Sequence, residues 1–253
     1  MDKNKKMKLN FEIQGNGLDL LLLHGWSGSI KTISPLAAAL AAKGYRVTIL
    51  EWPGCGDSQI PEQTLYLGDY VRLLESSIEE LNLINPVVIG HSFGGKVILK
   101  TLLNNPQAFN RIVLINSAGI KPNNTIKKAL FRGISKTAGK VAELPLLNKF
   151  KDQLEYGYYR YVVRELDYYK SKPMRETFKN VIAEDLDKQL SAINIPSLII
   201  WGKQDKITPL WMGQKMHALL KGSQLQVVEG YGHGLPLVNP QKVAELIYNY
   251  LHS

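Results

Sequence analysis

Short apolar runs bounded by turn residues alternate along this chain with longer segments of helical period, an order that calls for βα units around a mostly parallel sheet. The runs fall at 8–14, 19–23, 46–50, 86–89, 111–116, 197–201 and 224–228. Between the third and fourth, Leu67, Val71, Leu74, Ile78 and Leu81 recur at spacings of three and four, which marks the buried face of a helix. Gly15-Asn16-Gly17 reads as a turn that pairs the first two strands antiparallel at the sheet edge. The alternation stops after Asn116 and resumes at Ile195. Inside that interval Leu154, Tyr158, Val162, Leu166 and Tyr169 form a helical stripe, and Pro122, Pro145 and Pro173 divide it into several helices. The expected organisation is a core of residues 1–118 and 191–253 with a helical cap, 119–190, between its halves.

With 253 residues, 45% hydrophobic and 21% charged, the composition is that of a soluble globular chain. The single Cys55 excludes an internal disulfide and suits a reducing compartment. Lys3, Lys5, Lys6 and Lys8 make the start basic, but residues 7–13 alternate with polar ones and supply no signal-peptide core. The apolar stretches 20–23 and 36–42 are far shorter than the roughly 20 residues that span a bilayer, so no integral membrane segment is expected and a cytoplasmic location is. The net charge of +9 is localised: residues 119–179 hold 14 Lys and Arg against 6 Asp and Glu, a net of +8. With no nucleic-acid-binding motif beside that charge, nucleic acid is not an expected partner. The basic segment is either a solvated face or a docking surface for an acidic carrier, such as an acyl carrier protein, or an anionic membrane surface. Its tyrosines, Tyr156, Tyr158, Tyr159, Tyr161, Tyr168 and Tyr169, suit packing of the cap on the core or the walls of a pocket.

Gly90-His91-Ser92-Phe93-Gly94 has the G-x-S-x-G form of a nucleophile elbow. Its context supplies the strand and helix that the motif requires: Pro86-Val87-Val88-Ile89 before it and residues 96–103 after it. A serine hydroxyl attacks a carbonyl only if a base removes its proton, and the base needs a carboxylate to fix its tautomer. His233 lies in the glycine-rich loop Gly230-Tyr231-Gly232-His233-Gly234 after the last strand. Of the other histidines, His24 shapes a loop, His91 points away from the serine, and His217 and His252 take surface positions. Asp205 follows the strand that ends in Trp201, where sites of open α/β sheets gather. The alternative reading of Asp205 is an aspartate bonding its own turn. Residues 114–119 offer no substitute acid, and Ser92, Asp205 and His233 follow the Ser, Asp, His order of one hydrolase architecture. The backbone N–H groups of Trp26 and Phe93 are the candidate oxyanion donors.

Together these residues resemble the α/β-hydrolase superfamily of capped esterases, lipases and their relatives. The resemblance rests on His24-Gly25-Trp26, Pro53-Gly54-Cys55-Gly56-Asp57-Ser58, residues 90–95, and Asp205 with Gly232-His233. It implies an α/β-hydrolase fold, a mostly parallel sheet flanked by helices with a helical cap after the sixth strand. It also implies hydrolysis of a small-molecule carboxylic ester of short to medium acyl length through an acyl-enzyme, with no cofactor and no metal. Lactone hydrolysis, acyl-homoserine lactones included, is the alternative within the same chemistry. Carbon–carbon bond cleavage ranks below it, because His91 stands where relatives of that kind commonly carry Asn. A slow-turnover ligand receptor is the alternative outside enzymes. Ser92 excludes members with an aspartate nucleophile. Two departures stand out: Glu51 replaces the Asp that many relatives have before the Pro-Gly turn, and the cap is rich in Lys and Tyr.

Overall fold

The computed structural model describes residue 7, residues 9–121 and residues 172–253. The predicted stripe from Leu154 to Tyr169, Pro122, Pro145 and most of the basic segment lie outside them. Seven strands form one sheet: β1 (Asn10–Gln14), β2 (Leu18–Leu23), β3 (Tyr45–Glu51), β4 (Val87–His91), β5 (Ile112–Ile115), β6 (Ser197–Gly202) and β7 (Ser223–Val228). Their order is β1-β3-β2-β4-β5-β6-β7, and every pairing but the first is parallel. The helices between them are α1 (Ile30–Ala41), α2 (Leu67–Glu80), α3 (Phe93–Asn104), α4 (Lys172–Ala183), α5 (Leu210–Leu219), α6 (Leu235–Val238) and α7 (Pro240–Leu251). No helix among the described residues is long and apolar enough to cross a membrane.

The central strands are apolar on both faces, so period-2 alternation sends their side chains into two separate cores. Leu21, Leu23, Val88, Leu114 and Trp201 join α2, α3 and α5 on one side. Leu20, Leu22, Ile89, Ile115 and Ile200 join α1 and α7 on the other. Each such side chain contributes about 1.5–3 kcal/mol by leaving water, and together they fix the register that aligns the strand ends.

Two expectations are corrected. β1 is the antiparallel edge strand, but it pairs with β3, not with β2. β2 lies between β3 and β4, because Leu20 to Leu23 are fully buried on both faces. Gly15 and Gly17 serve a crossing over the start of β3: a Cβ at Gly15 would lie 2.4 Å from the Tyr45 carbonyl oxygen, and one at Gly17 2.1 Å from that of Gly44. The long interval after Asn116 follows the fifth strand among the described residues, not a sixth. Its returning end is helical, as expected, over Lys172–Ala183.

Trp201, fully buried at the end of β6, packs under α5, where a Cβ at Gly213 would lie 2.6 Å from the indole ring. Replacing Gly213 with Ala gains up to about 1 kcal/mol of helix propensity, while overpacking a rigid ring costs about 1–3 kcal/mol. Gly213→Ala is therefore expected to be net destabilising, read as a lower urea midpoint at unchanged slope.

Candidate active site

The carboxyl ends of β2, β4, β5, β6 and β7 lie side by side, and each delivers one part of the site. Ser92 follows β4 with φ 51° and ψ −111°, a left-handed conformation that costs a non-glycine residue about 1–3 kcal/mol. Its neighbours hold it there. The Ser92 N–H donates to Ile115 O at 3.0 Å, and the Ser92 carbonyl accepts from the Ala118 N–H at 2.9 Å. The turn closes only with glycine on both sides: a Cβ at Gly90 would lie 2.5 Å from the Gly95 nitrogen, and one at Gly94 2.5 Å from Leu23 O.

His233 Nε2 is 3.0 Å from Ser92 Oγ, and its Nδ1 is 2.8 Å from Asp205 Oδ2. Facing a carboxylate, Nδ1 carries the proton, which leaves the Nε2 lone pair for the serine hydroxyl. Asp205 is almost fully buried, and its two oxygens face different partners. Its Oδ1 accepts from the Ile207 and Thr208 amides at 2.8 and 2.9 Å, closing its own turn. Its Oδ2 faces His233, the Thr208 hydroxyl at 2.8 Å and the Asn116 side-chain amide. Burial pushes the Asp205 pKa up, but the hydrogen bond and charge of His233, with Asn116 and Thr208, outweigh it and hold the carboxyl below its ordinary range.

The two candidate oxyanion donors flank Ser92. Phe93 opens α3, so its N–H has no acceptor within the helix. The Trp26 N–H donates to no backbone carbonyl among the described residues. Their rings meet edge to face with centroids 5.2 Å apart, and Phe178 of α4 closes on Trp26 at 5.0 Å. Two cavities meet at the serine. One, of about 220 Å³, is lined by Ser92, Trp26, Phe93, Lys96, Phe178 and Met212 among others. The second, of about 270 Å³, is lined on its other side by His233, Gly234, His91 and Leu237.

The remaining histidines take supporting positions. His24 Nε2 accepts from the Trp52 amide at 3.1 Å, so Nδ1 carries the proton and donates to Gly25 O at 2.7 Å. Burial lowers its pKa to about 4, which keeps this brace of the Trp26 loop neutral. His91 donates from Nε2 to the His233 carbonyl at 2.9 Å, and burial lowers its pKa to about 3. It thus seats the His233 loop from behind. His217 and His252 bond Ser223 Oγ and the Tyr248 carbonyl at the surface.

With this geometry in view, comparison with known proteins gives the family. A family model described as the alpha/beta hydrolase fold matches residues 20–240. The chain belongs to the α/β hydrolase family. This hydrolase is 26% identical over 249 residues to the uncharacterized hydrolase YugF of Bacillus subtilis, covering 92% of this chain and 89% of that one. Its fold matches an esterase from Exiguobacterium antarcticum with a TM-score of 0.75 at 23% identity, over 99% of this chain and 97% of that one. It also matches the enol-lactonase from Burkholderia xenovorans LB400 with a TM-score of 0.74 at 17% identity, over 98% and 97%.

Sequence reasoning missed three side chains of the hydrolase site. Asn116 carries no acid or base and so gave no chemical signal, yet it supplies the amide at the β5 end that holds Asp205. Thr208 was legible as the third residue after an aspartate, the spacing of a side-chain turn. Lys96 reads as one polar position in an apolar helix and is instead buried in a cavity wall.

Glu51 is the atypical residue before the Pro-Gly turn, and the structure gives it a full set of partners. Buried at the end of β3, it accepts from the Ile30 and Asp57 amides, each at 2.8 Å, and from Asn10 Nδ2 at 3.0 Å. Burial alone would raise its pKa, but the bonds from Asn10, Ile30 and Asp57 and the nearby His24 bring it below the ordinary range. Its contribution is therefore complete above the unfolded value of about 4.3 and is lost as pH falls through the lower folded value. Glu51→Gln leaves a buried N–H facing another donor, with an expected cost of about 1–3 kcal/mol at pH 7. In urea unfolding at pH 7 and pH 3, the gap between wild type and variant should shrink at the acid end.

Proposed function

We propose that this α/β hydrolase cleaves carboxylic esters of short to medium acyl length through an acyl-enzyme on Ser92. The observation that carries the reading is the unbroken relay Ser92 Oγ, His233 Nε2, His233 Nδ1, Asp205 Oδ2, with links of 3.0 and 2.8 Å, beside two amide donors. In this mechanism Ser92 Oγ attacks the ester carbonyl carbon while His233 Nε2 takes its proton. The carbonyl oxygen becomes an oxyanion that accepts from the Trp26 and Phe93 N–H groups, and Asp205 stabilises the imidazolium. Collapse breaks the carbon–oxygen bond to the alcohol, which leaves with the proton from His233. Water then attacks the acyl-serine with His233 again as base, releasing the acid and restoring the serine.

Because His233 protonates the leaving group, the alcohol belongs in the cavity that His233 lines. The acyl chain then takes the other, which is walled by Trp26, Phe93 and Met212. A 150 Å³ cavity accepts benzene, so about 220 Å³ holds on the order of eight or nine heavy atoms, in keeping with a short or medium chain. The same site chemistry opens lactones, and the similar folds of an esterase and an enol-lactonase support acyl transfer generally. Residues 119–190 serve in this reading as the cap over the opening, and the protein works in the cytoplasm.

The test is turnover of p-nitrophenyl esters from two to twelve carbons, beside simple and acyl-homoserine lactones, by wild type and Ser92→Ala. Wild type is expected to peak between four and eight carbons, with the variant slower by roughly 10³-fold or more. Comparable rates for the two proteins would remove the serine mechanism. A single-turnover burst with no steady state would instead indicate a ligand receptor.

A further inference from the structure

Lys96 lies on α3 one turn, about 6 Å, beyond Ser92 and is only 5% exposed. A buried lysine ordinarily faces a carboxylate, because an ammonium ion taken out of water needs a counter-charge. Lys96 Nζ donates instead to the carbonyl oxygens of Val181 and Glu184 at the end of α4. The acids nearby are already engaged: the Glu184 carboxylate pairs with Lys100 at 2.8 Å, and Asp185 Oδ1 accepts from the Lys121 and Asp187 amides. Lys121 Nζ adds a third cation, donating to Ala183 O at 2.6 Å. Among the described residues three ammonium groups thus surround two carboxylates, and Lys96 has used two of its three protons there.

Val181, Glu184 and Lys121 line the same cavity as Ser92 and Lys96. The space is an apolar sleeve between the serine and a cation whose charge nothing among the described residues matches directly. An alkyl chain entering it would leave that cation without a counter-charge. A chain ending in an anion would accept the remaining proton and supply the missing charge.

We propose that the acyl pocket selects acyl groups bearing a carboxylate at their far end, with Lys96 Nζ as the specificity-determining donor. The substrates are then half-esters of dicarboxylic acids. This rests on the serine-hydrolase reading above and on the assignment of the Lys96 cavity to the acyl chain.

The experiment compares p-nitrophenyl hexanoate with mono-p-nitrophenyl adipate, which have equal chain length and differ in the terminal charge, on wild type, Ser92→Ala, Lys96→Met and Lys96→Gln. The expected kcat/KM ratio of half-ester to neutral ester is above 10 for wild type at pH 7. It should fall at least tenfold in Lys96→Met and Lys96→Gln, with the loss in KM. Burial lowers the Lys96 pKa to about 8, with Glu184 and Asp185 raising it and Lys121 lowering it further. Lys96 is charged below that value and neutral above it, so the wild-type ratio should drop about tenfold between pH 7 and pH 9. His233 acts on both esters and cancels from the ratio. A wild-type ratio of 1 or less, or one that neither the variants nor pH moves, overturns the proposal. Because Lys96 also caps α4, wild type with adipate or hexanoate in a thermal shift decides independently of variant folding and of turnover, and equal shifts overturn the proposal. Ser92→Ala hydrolysing both esters at the wild-type rate would remove the hydrolase mechanism, whereas an active wild type with no preference removes only the role of Lys96.

Discussion

Ser92 occupies a backbone conformation that an isolated chain would leave at once, and the surrounding architecture exists in a form that gives it no alternative. β4 enters the turn with both faces buried, α3 leaves it packed under α2, and the two elements approach so closely that Gly90 touches the backbone of Gly94 and Gly95. The adjacent strands β2 and β5 contribute Leu23 O against Gly94 and Ile115 O to the Ser92 N–H. The strain at one residue is thus offset by the register of the central strands, which two apolar cores set independently. That is why a hydroxyl with no bulk of its own can be held within hydrogen-bond distance of a histidine 141 positions later.

The second organising device is the Asp205 carboxylate. Its two oxygens tie together the ends of β5, β6 and β7: Asn116 from the first, the Ile207 and Thr208 amides from its own loop, and His233 from the last. The Trp201 indole reinforces the knot by donating to the Thr208 carbonyl at 2.8 Å. Glu51 does the same on the other side of the serine, where one carboxylate joins β1, the start of α1 and the Pro-Gly turn beside the Trp26 loop. Loops are the mobile parts of an α/β fold, and here two buried acids with full sets of amide donors hold them in fixed positions around Ser92 and His233.

The legibility of these features in the sequence followed from how local their causes are. The central strands were readable because burial on both faces demands continuous apolar runs, and the elbow because strand, glycine-flanked serine and helix follow one another in consecutive residues, although Gly94 also meets Leu23 of β2. Asp205 and His233 were readable because few residue types can do proton chemistry and the order of the three was constrained. The pairing of β1 was not, since a Gly-Asn-Gly turn looks the same whether its strands join each other or straddle a third. Asn116 was invisible for a different reason: holding an acid needs only a donor, and many residues supply one. Lys96 was hidden by its helix, whose lysine would face water if α4 did not return across it, a fact of tertiary structure alone.

The buried ionisable groups divide along a simple line. The acids Asp205 and Glu51 are solvated by amides, a hydroxyl and an imidazole of the protein itself, and both are held in their charged form. The histidines His24 and His91 are buried neutral, each bonded to backbone. Lys96 is the exception, a cation whose partners among the described residues are two carbonyl dipoles. Carbonyl oxygens at a helix end carry about half an elementary charge among them, enough to hold an ammonium in place and too little to neutralise it. Among the described residues Lys96 is thus a buried cation that no carboxylate touches directly, in the wall of the cavity that opens on Ser92, where an entering anion would meet it.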